Sequence, residues 1–266
     1  MLSDSLSITM TSSYDSGLVL LSIVIAIFAS YVALDLAGQV TVAQGRSRQL
    51  WLLGGATAMG VGIWSMHFIA MLAFSLPVPI RYHVPTVVLS MIAAIVASAI
   101  ALYVVSRPAM GTAALLAGGV LMGSGIGTMH YTGMAAMRLA ARTSYDPLLF
   151  VLSVVIAVVV SLVALWLAFH LRTETSRSGV LQRGVSAVVM GCGIVGLHYT
   201  AMAAASFTPV DAAAAVQAPA AAADTSWLAG GIGIATGLIL ALALAGSFLS
   251  RRAPQAGAGA AAATRY

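Results

Sequence analysis

Gly60-Val-Gly-Ile-Trp-Ser-Met-His67-Phe-Ile-Ala-Met71 decides the fold, because the chain writes the phrase twice more. It returns as Gly123-Ser-Gly-Ile-Gly-Thr-Met-His130-Tyr-Thr-Gly-Met134 and as Gly191-Cys-Gly-Ile-Val-Gly-Leu-His198-Tyr-Thr-Ala-Met202. Each copy sits inside a strongly apolar run. A histidine in hydrocarbon is costly, so those that persist within membrane spans face a protein interior and mark functional sites.

The surroundings of the phrase are membrane-like. Of 266 residues, 61% are hydrophobic and only 7% charged, against roughly a quarter charged in soluble domains. Mean hydropathy is +1.01. Apolar runs near 17–38, 49–74, 85–106, 112–137, 147–170, 183–206 and 227–249 each approach the roughly 20 residues that a bilayer core requires. They are continuous and lack the two-residue alternation of barrel strands. The expected fold is all-α and integral to the membrane, with seven transmembrane helices. All 12 basic residues are arginines, spread over the connections and not gathered into a patch. They read as topology markers, not as a nucleic-acid footprint. Cys192 is the only cysteine and forms no internal disulfide.

Residues 1–16 carry Asp4 and Asp15 and no basic residue, unlike a secretory signal. They are expected to be an external segment ahead of a retained first span. Nine arginines (46, 48, 107, 172, 177, 183, 251, 252 and 265) fall on one side and three (81, 138 and 142) on the other. The positive-inside bias then predicts the N-terminus outside and the C-terminus cytoplasmic.

The repeat extends beyond the histidine phrase. Tyr14, Tyr82 and Tyr145 are followed at fixed distances by Ser22 and Ser30, Ser90 and Ser98, and Ser153 and Ser161. Each series closes on Ala-Leu, at Ala33-Leu34, Ala101-Leu102 and Ala164-Leu165. The unit is a two-helix hairpin at about 14–75, 82–138 and 145–206. Two helices per unit keep the copies in one orientation, as parallel repeats about the membrane normal. A connector at 207–226 leads to the seventh helix at 227–249. A membrane domain therefore covers 17–250, followed by a short cytoplasmic tail at 251–266, and no soluble enzymatic domain is expected.

The three histidine-bearing helices run in one direction. His67 precedes the external end near Ser75 by about eight residues, roughly 12 Å at 1.5 Å per residue. His130 and His198 lie at the same depth. Residues four apart share a helix face, so His67 with Met71, His130 with Met134, and His198 with Met202 address one inner space. Imidazole with thioether suits copper, particularly Cu(I), better than oxygen-loving cations. Met66 and Met129 precede two of the histidines, and Leu197 stands in the third copy. Met59, Met122 and Met190 either line the approach or pack. The paired glycines read as close-packing positions. Asp15, His83 and Asp146 occupy equivalent positions above the histidines, as helix caps or as partners for the imidazoles. Asp35 is expected to reach the inner interface and His170 to be interfacial. Cys192 is expected to be a small packing residue.

At Met66-His-Phe-Ile69, Met129-His-Tyr-Thr132 and Leu197-His-Tyr-Thr200 the chain resembles the MHYT family of bacterial integral membrane sensors, over about 14–250. The resemblance implies a seven-helix sensory module whose motif residues coordinate copper near the outer face. Its implied signals are oxygen, carbon monoxide or nitric oxide. By resemblance those roles fall on His67, His130 and His198, with Met66, Met129 and the downstream methionines. Leu197 departs from the pattern. The resulting expectation is a non-enzymatic sensor in the bacterial inner membrane, read by a separate cytoplasmic signalling protein. A copper-handling transporter, a haem protein and purely structural histidines are the alternatives.

Overall fold

The structure is a computed structural model that describes residues 9–174, 176–210 and 226–263. The segment up to residue 8 expected to be external, the expected connector over 211–225 and the end of the expected tail at 264–266 lie outside the described residues. Among the described residues seven helices follow one another: α1 (Ser16–Val42), α2 (Gly45–Ala73), α3 (Val84–Val105), α4 (Thr112–Ala135), α5 (Pro147–Leu171), α6 (Arg177–Ala204) and α7 (Ser226–Ala263). All seven are long and apolar enough to cross a membrane. A helix satisfies its backbone within its own segment, which hydrocarbon demands. Asp15, Asp146 and Ser176 cap α1, α5 and α6 by accepting from the amides of Leu18 (2.8 Å), Leu149 (2.9 Å) and Gly179 (3.1 Å). Only Ala43 and Gln44 separate α1 from α2, and Gly45 takes a φ of +54° to make the reversal. The last helix continues to Ala263, through much of the predicted tail. Alanine is the best helix former and dominates that stretch.

Six short strands were not legible in the sequence. They are β1 (Ser13–Tyr14), β2 (Phe74–Ser75), β3 (Arg81–Tyr82), β4 (Met137–Arg138), β5 (Ala141–Tyr145) and β6 (Ala205–Pro209). They pair antiparallel as β1–β2, β3–β4 and β5–β6. Each pair ties the start of an odd helix to the end of the next even one. Two to five residues are too few for strand periodicity to show.

The helices α1 to α6 form a closed ring in sequence order, each packed on the next, with α6 returning to α1. The repeated Gly-x-Gly explains the closeness. A Cβ on the first glycine would meet the neighbouring unit's odd helix: Ile95 Cα at 2.5 Å from Gly60, and Val158 Cα at 2.7 Å from Gly123. A Cβ on the second would meet the odd helix of its own unit: Ala29 from Gly62 and Ala97 from Gly125. The residue between them turns away from the ring, so Ser124 and Cys192 are exposed on its outer face. Cys192 is thus not a packing residue.

Helix α7 lies outside the ring, against α1 and α2. It is held by polar contacts unusual for a membrane span. Ser65 and Thr236 share a 2.6 Å hydrogen bond, and Gln39 Nε2 donates to Ser247 Oγ at 2.8 Å. Asp35 corrects the sequence expectation. It does not reach an interface but is 5% exposed. It pairs with Arg183 at 2.8 Å and Arg251 at 2.6 Å, and accepts from the Ser247 hydroxyl. Arg183, expected in a connection, is buried within α6. Pairing makes such burial tolerable, because Asp35 offsets the charge of the buried Arg183 while Arg251 keeps part of its side chain exposed.

Two outcomes follow. Gly60→Leu should overpack the α2–α3 contact and cost about 1–3 kcal/mol or more, read as a lower melting temperature in detergent. Gly127→Ala, with nothing within 4 Å of the added Cβ, should leave it unchanged. Asp35→Asn leaves Arg183 buried without its counter-charge and should cost about 3–5 kcal/mol in the same measurement.

Candidate metal centre

Along each even helix, one face repeats at four-residue intervals. In α2 it carries Met59, Ile63, His67 and Met71, in α4 Met122, Ile126, His130 and Met134, and in α6 Met190, Ile194, His198 and Met202. All twelve side chains are buried. The even helices face the ring interior, so these columns stack as layers along its axis: methionine, isoleucine, histidine, methionine. The top layer lies next to the strand-bearing end.

The histidine layer is the polar centre of the molecule. Ring centroids lie 4.7 Å (His67–His130), 5.1 Å (His67–His198) and 5.2 Å (His130–His198) apart, at steep interplanar angles. His67 Nδ1 is 3.1 Å from the Nδ1 of both His130 and His198. One proton on His67 Nδ1 can serve only one of those neighbours. With the protons on Nε2, three lone pairs point at a common centre. All three Nε2 atoms are buried and without a hydrogen-bond partner. The three nitrogens form the metal-capable His, Cys or acidic cluster among the described residues. Three converging neutral imidazoles in a dry interior fit a transition-metal ion; imidazole serves zinc, copper, iron and nickel alike.

Packing fixes the three rings. His130 and His198 stand edge-on to the following Tyr131 and Tyr199, with centroids at 5.0 and 4.9 Å. Tyr131 hydrogen-bonds Ser153 Oγ at 2.6 Å, across to α5. The first copy has Phe68 instead, and Trp64 supplies the equivalent bond, donating to Ser90 Oγ at 3.1 Å. In the sequence these serines are repeat markers, and only the fold brings their aromatic partners alongside. Gly133 gives the second copy its distinctive feature. A Cβ there would overlap His67 Nε2, whereas the equivalent positions, Ala70 and Ala201, carry a methyl group.

The other candidates divide. Met71, Met134 and Met202 share one buried cluster with Phe74, Met137 and Phe207, above the histidines. Met66 and Met129 are buried in two separate clusters, away from that triad. Leu197 is buried beside Met129's cluster in the same way. Tyr82 donates to the Met71 carbonyl at 3.1 Å, bracing the top layer. Burial raises its phenol, and burial beside Tyr199 pushes Tyr14 up to about 12, so both stay protonated. Asp15 and Asp146 are engaged as caps, and His83 Nδ1 bonds Thr86 Oγ1 at 2.8 Å. None of the three is hydrogen-bonded to an imidazole of the triad. His170 is exposed and bonds the Trp166 carbonyl.

The fold and site define a multi-pass membrane protein organised around a buried histidine triad. The chain belongs to the MHYT family, described as a bacterial signalling protein N terminal repeat, whose pattern matches at residues 1–55, 60–118 and 123–180. It is 49% identical over 241 residues to the bifunctional diguanylate cyclase/cyclic di-GMP phosphodiesterase MucR of Pseudomonas aeruginosa, covering 91% of this chain and 35% of MucR. It is 41% identical over 196 residues to the signaling protein YkoW of Bacillus subtilis, covering 73% of this chain and 24% of YkoW. It is 36% identical over 219 residues to the cyclic di-GMP phosphodiesterase NbdA of Pseudomonas aeruginosa, covering 82% and 28%. The chain thus spans about a third or less of these relatives. No solved structure matches it.

The Gly133 contact is testable without metal. In Gly133→Ala the imidazole 15N resonances of His67 should shift as the ring is displaced, while Ala201→Gly should leave them in place.

Proposed function

We propose that this chain is the sensory unit of a membrane signalling protein and binds one copper ion through His67, His130 and His198. Met71, Met134 and Met202 are the sulfur donors available above the ion, and Met66 and Met129 support the helices that carry it. The observation that carries this reading is the meeting of three Nδ1 atoms in an apolar interior. Copper accepts both imidazole and thioether donors, and these are the two donor types that the layers present. Two axial ligands of a haem stand on opposite faces of the porphyrin. Nitrogens 3.1 Å apart favour a single ion over a macrocycle between them.

The site lies in the outer half of the bacterial inner membrane, with the strand pairs external and the arginine-rich ends cytoplasmic. The three hairpins act as parallel repeats around the ion. Oxygen, carbon monoxide, nitric oxide or a change in copper oxidation state is the signal. It acts by binding two arrangements of the ring unequally and so shifting their populations. Helix α7, tied to α1 and α6 through Asp35, Arg183 and Arg251, passes the shift to the cytoplasmic side. There a signalling unit of the kind named in MucR and NbdA, one that makes or degrades cyclic di-GMP, reads it.

Protein purified without chelator should contain copper with nitrogen scatterers in X-ray absorption. His67→Ala/His130→Ala/His198→Ala should lose the nitrogen-bound copper. Undiminished nitrogen-bound copper in that triple variant sinks the reading, and a Soret band lost with the same residues would replace it with haem.

A further inference from the structure

The lowest layer of the column is unused by the histidine centre. Met59, Met122 and Met190 lie eight residues before the three histidines, two helical turns or roughly 12 Å along the axis. The isoleucine layer of Ile63, Ile126 and Ile194 stands between. Such a distance exceeds any shared coordination sphere.

Methionine is a common filler of membrane helices, being flexible and apolar. Three observations separate this layer from filler. All three methionines line one internal cavity of about 30 Å³, together with the isoleucines, Ser30 and Ser161. They also line a second cavity of about 20 Å³, shared with Leu102 and Val105, so the layer borders two spaces within the core. Ser161, fully buried at the first cavity, has no hydrogen-bond partner for its hydroxyl. Finally, each methionine directly precedes the first glycine of its phrase. Those glycines are where the even helices touch the neighbouring odd helices most closely, as at Gly60 on Ile95 and Gly123 on Val158. The close contacts fix the depth and rotation of all three helices at this level, and with them the direction of the methionines.

We propose that Met59, Met122 and Met190 form a second, independent site for a soft monovalent cation such as Cu(I), with the Ser161 hydroxyl as an additional oxygen. Thioethers are neutral, weak donors that select soft ions and bind zinc or magnesium poorly. With no anionic donor in the cup, a single positive charge is the least costly to bury. The upper methionine layer is less suited to the role, because Phe74, Met137 and Phe207 fill the space around it.

The test uses Ag(I), a spectroscopically simple stand-in for Cu(I), titrated against a competing chelator into the full chain. The His67→Ala/His130→Ala/His198→Ala background removes the histidine centre, so this site and that one fail separately. In that background one Ag(I) should remain bound, with sulfur-dominated X-ray absorption and no displacement by Zn(II). Adding Met59→Leu/Met122→Leu/Met190→Leu, which conserves volume, should weaken binding at least 100-fold. Adding Met71→Leu/Met134→Leu/Met202→Leu instead should leave it within threefold. Retention of Ag(I) in the Met59/Met122/Met190 variant overturns the proposal, as does its loss in the Met71/Met134/Met202 variant. If the multiple variants do not fold, Ag(I) scattering on the wild-type chain decides. Two ions, one of them bound by sulfur without nitrogen, support the site; a single ion bound by nitrogen overturns it.

Discussion

Three imidazoles removed from both water and lipid are the constraint on which the rest of this structure depends. Each ring offers two polar nitrogens, and an unpaired buried polar group costs about 1–3 kcal/mol. The Nε2 atoms of His67, His130 and His198 find no partner, and the Nδ1 atoms find only one another. Such a cluster persists only if the scaffold holds the rings against their tendency to separate. The scaffold does so through short, stiff contacts. Tyr131 and Tyr199 lie edge-on to His130 and His198, Ser153 on the adjacent odd helix anchors Tyr131, and glycines bring the helices together two turns away.

The two ends of the ring work under different rules. At the strand-bearing end, antiparallel strand pairs close each hairpin and use up backbone groups that the helix termini would leave unpaired. Packing there is dense and apolar, around Met71, Met134 and Met202. At the opposite end the contacts are ionic and reach between units. Arg172 donates to the carbonyls of Val105, Arg107 and Pro108, where a cation also complements the C-terminus of α3. Asp35 joins α1, α6 and α7. Arg251, 37% exposed at its side chain, can exchange the carboxylate for water at small cost, whereas the buried Arg183–Asp35 pair and interlocked side chains cannot. The strand-bearing end holds the site, and at the ionic end Arg251 is the contact most open to exchange.

Much of the architecture was legible because membrane constraints simplify the sequence. Seven apolar runs predicted seven helices, and the repeat of His67, His130 and His198 singled out the residues that meet at the centre. What stayed hidden depends on neighbours distant in the chain. Asp35 looked peripheral because its partners, Arg183 and Arg251, lie 148 and 216 residues away. The strands were too short to carry a period. Met66 and Met129 were grouped with the histidines by adjacency, but consecutive helical residues point about 100° apart, and they are buried in other clusters. Cys192 looked like a packing residue until the glycines on either side of it were seen to take both helix contacts.

The three copies are not equivalent, and the differences concentrate on His67. It is the ring whose Nδ1 touches both others, so it alone is central to the cluster. Its Nε2 lies over the backbone of Gly133, where the other two phrases carry alanine. Its own phrase lacks the tyrosine hydroxyl of the others and borrows Trp64 to reach the next unit. Helix α7 covers α2, which carries it, and leaves α4 and α6 without such a cover. An exact threefold arrangement would make the three histidines equal. Here one of them is the hub, and beside its helix lies α7, which leads toward the ionic end. His67 is thus the one histidine of the three whose helix packs directly against α7.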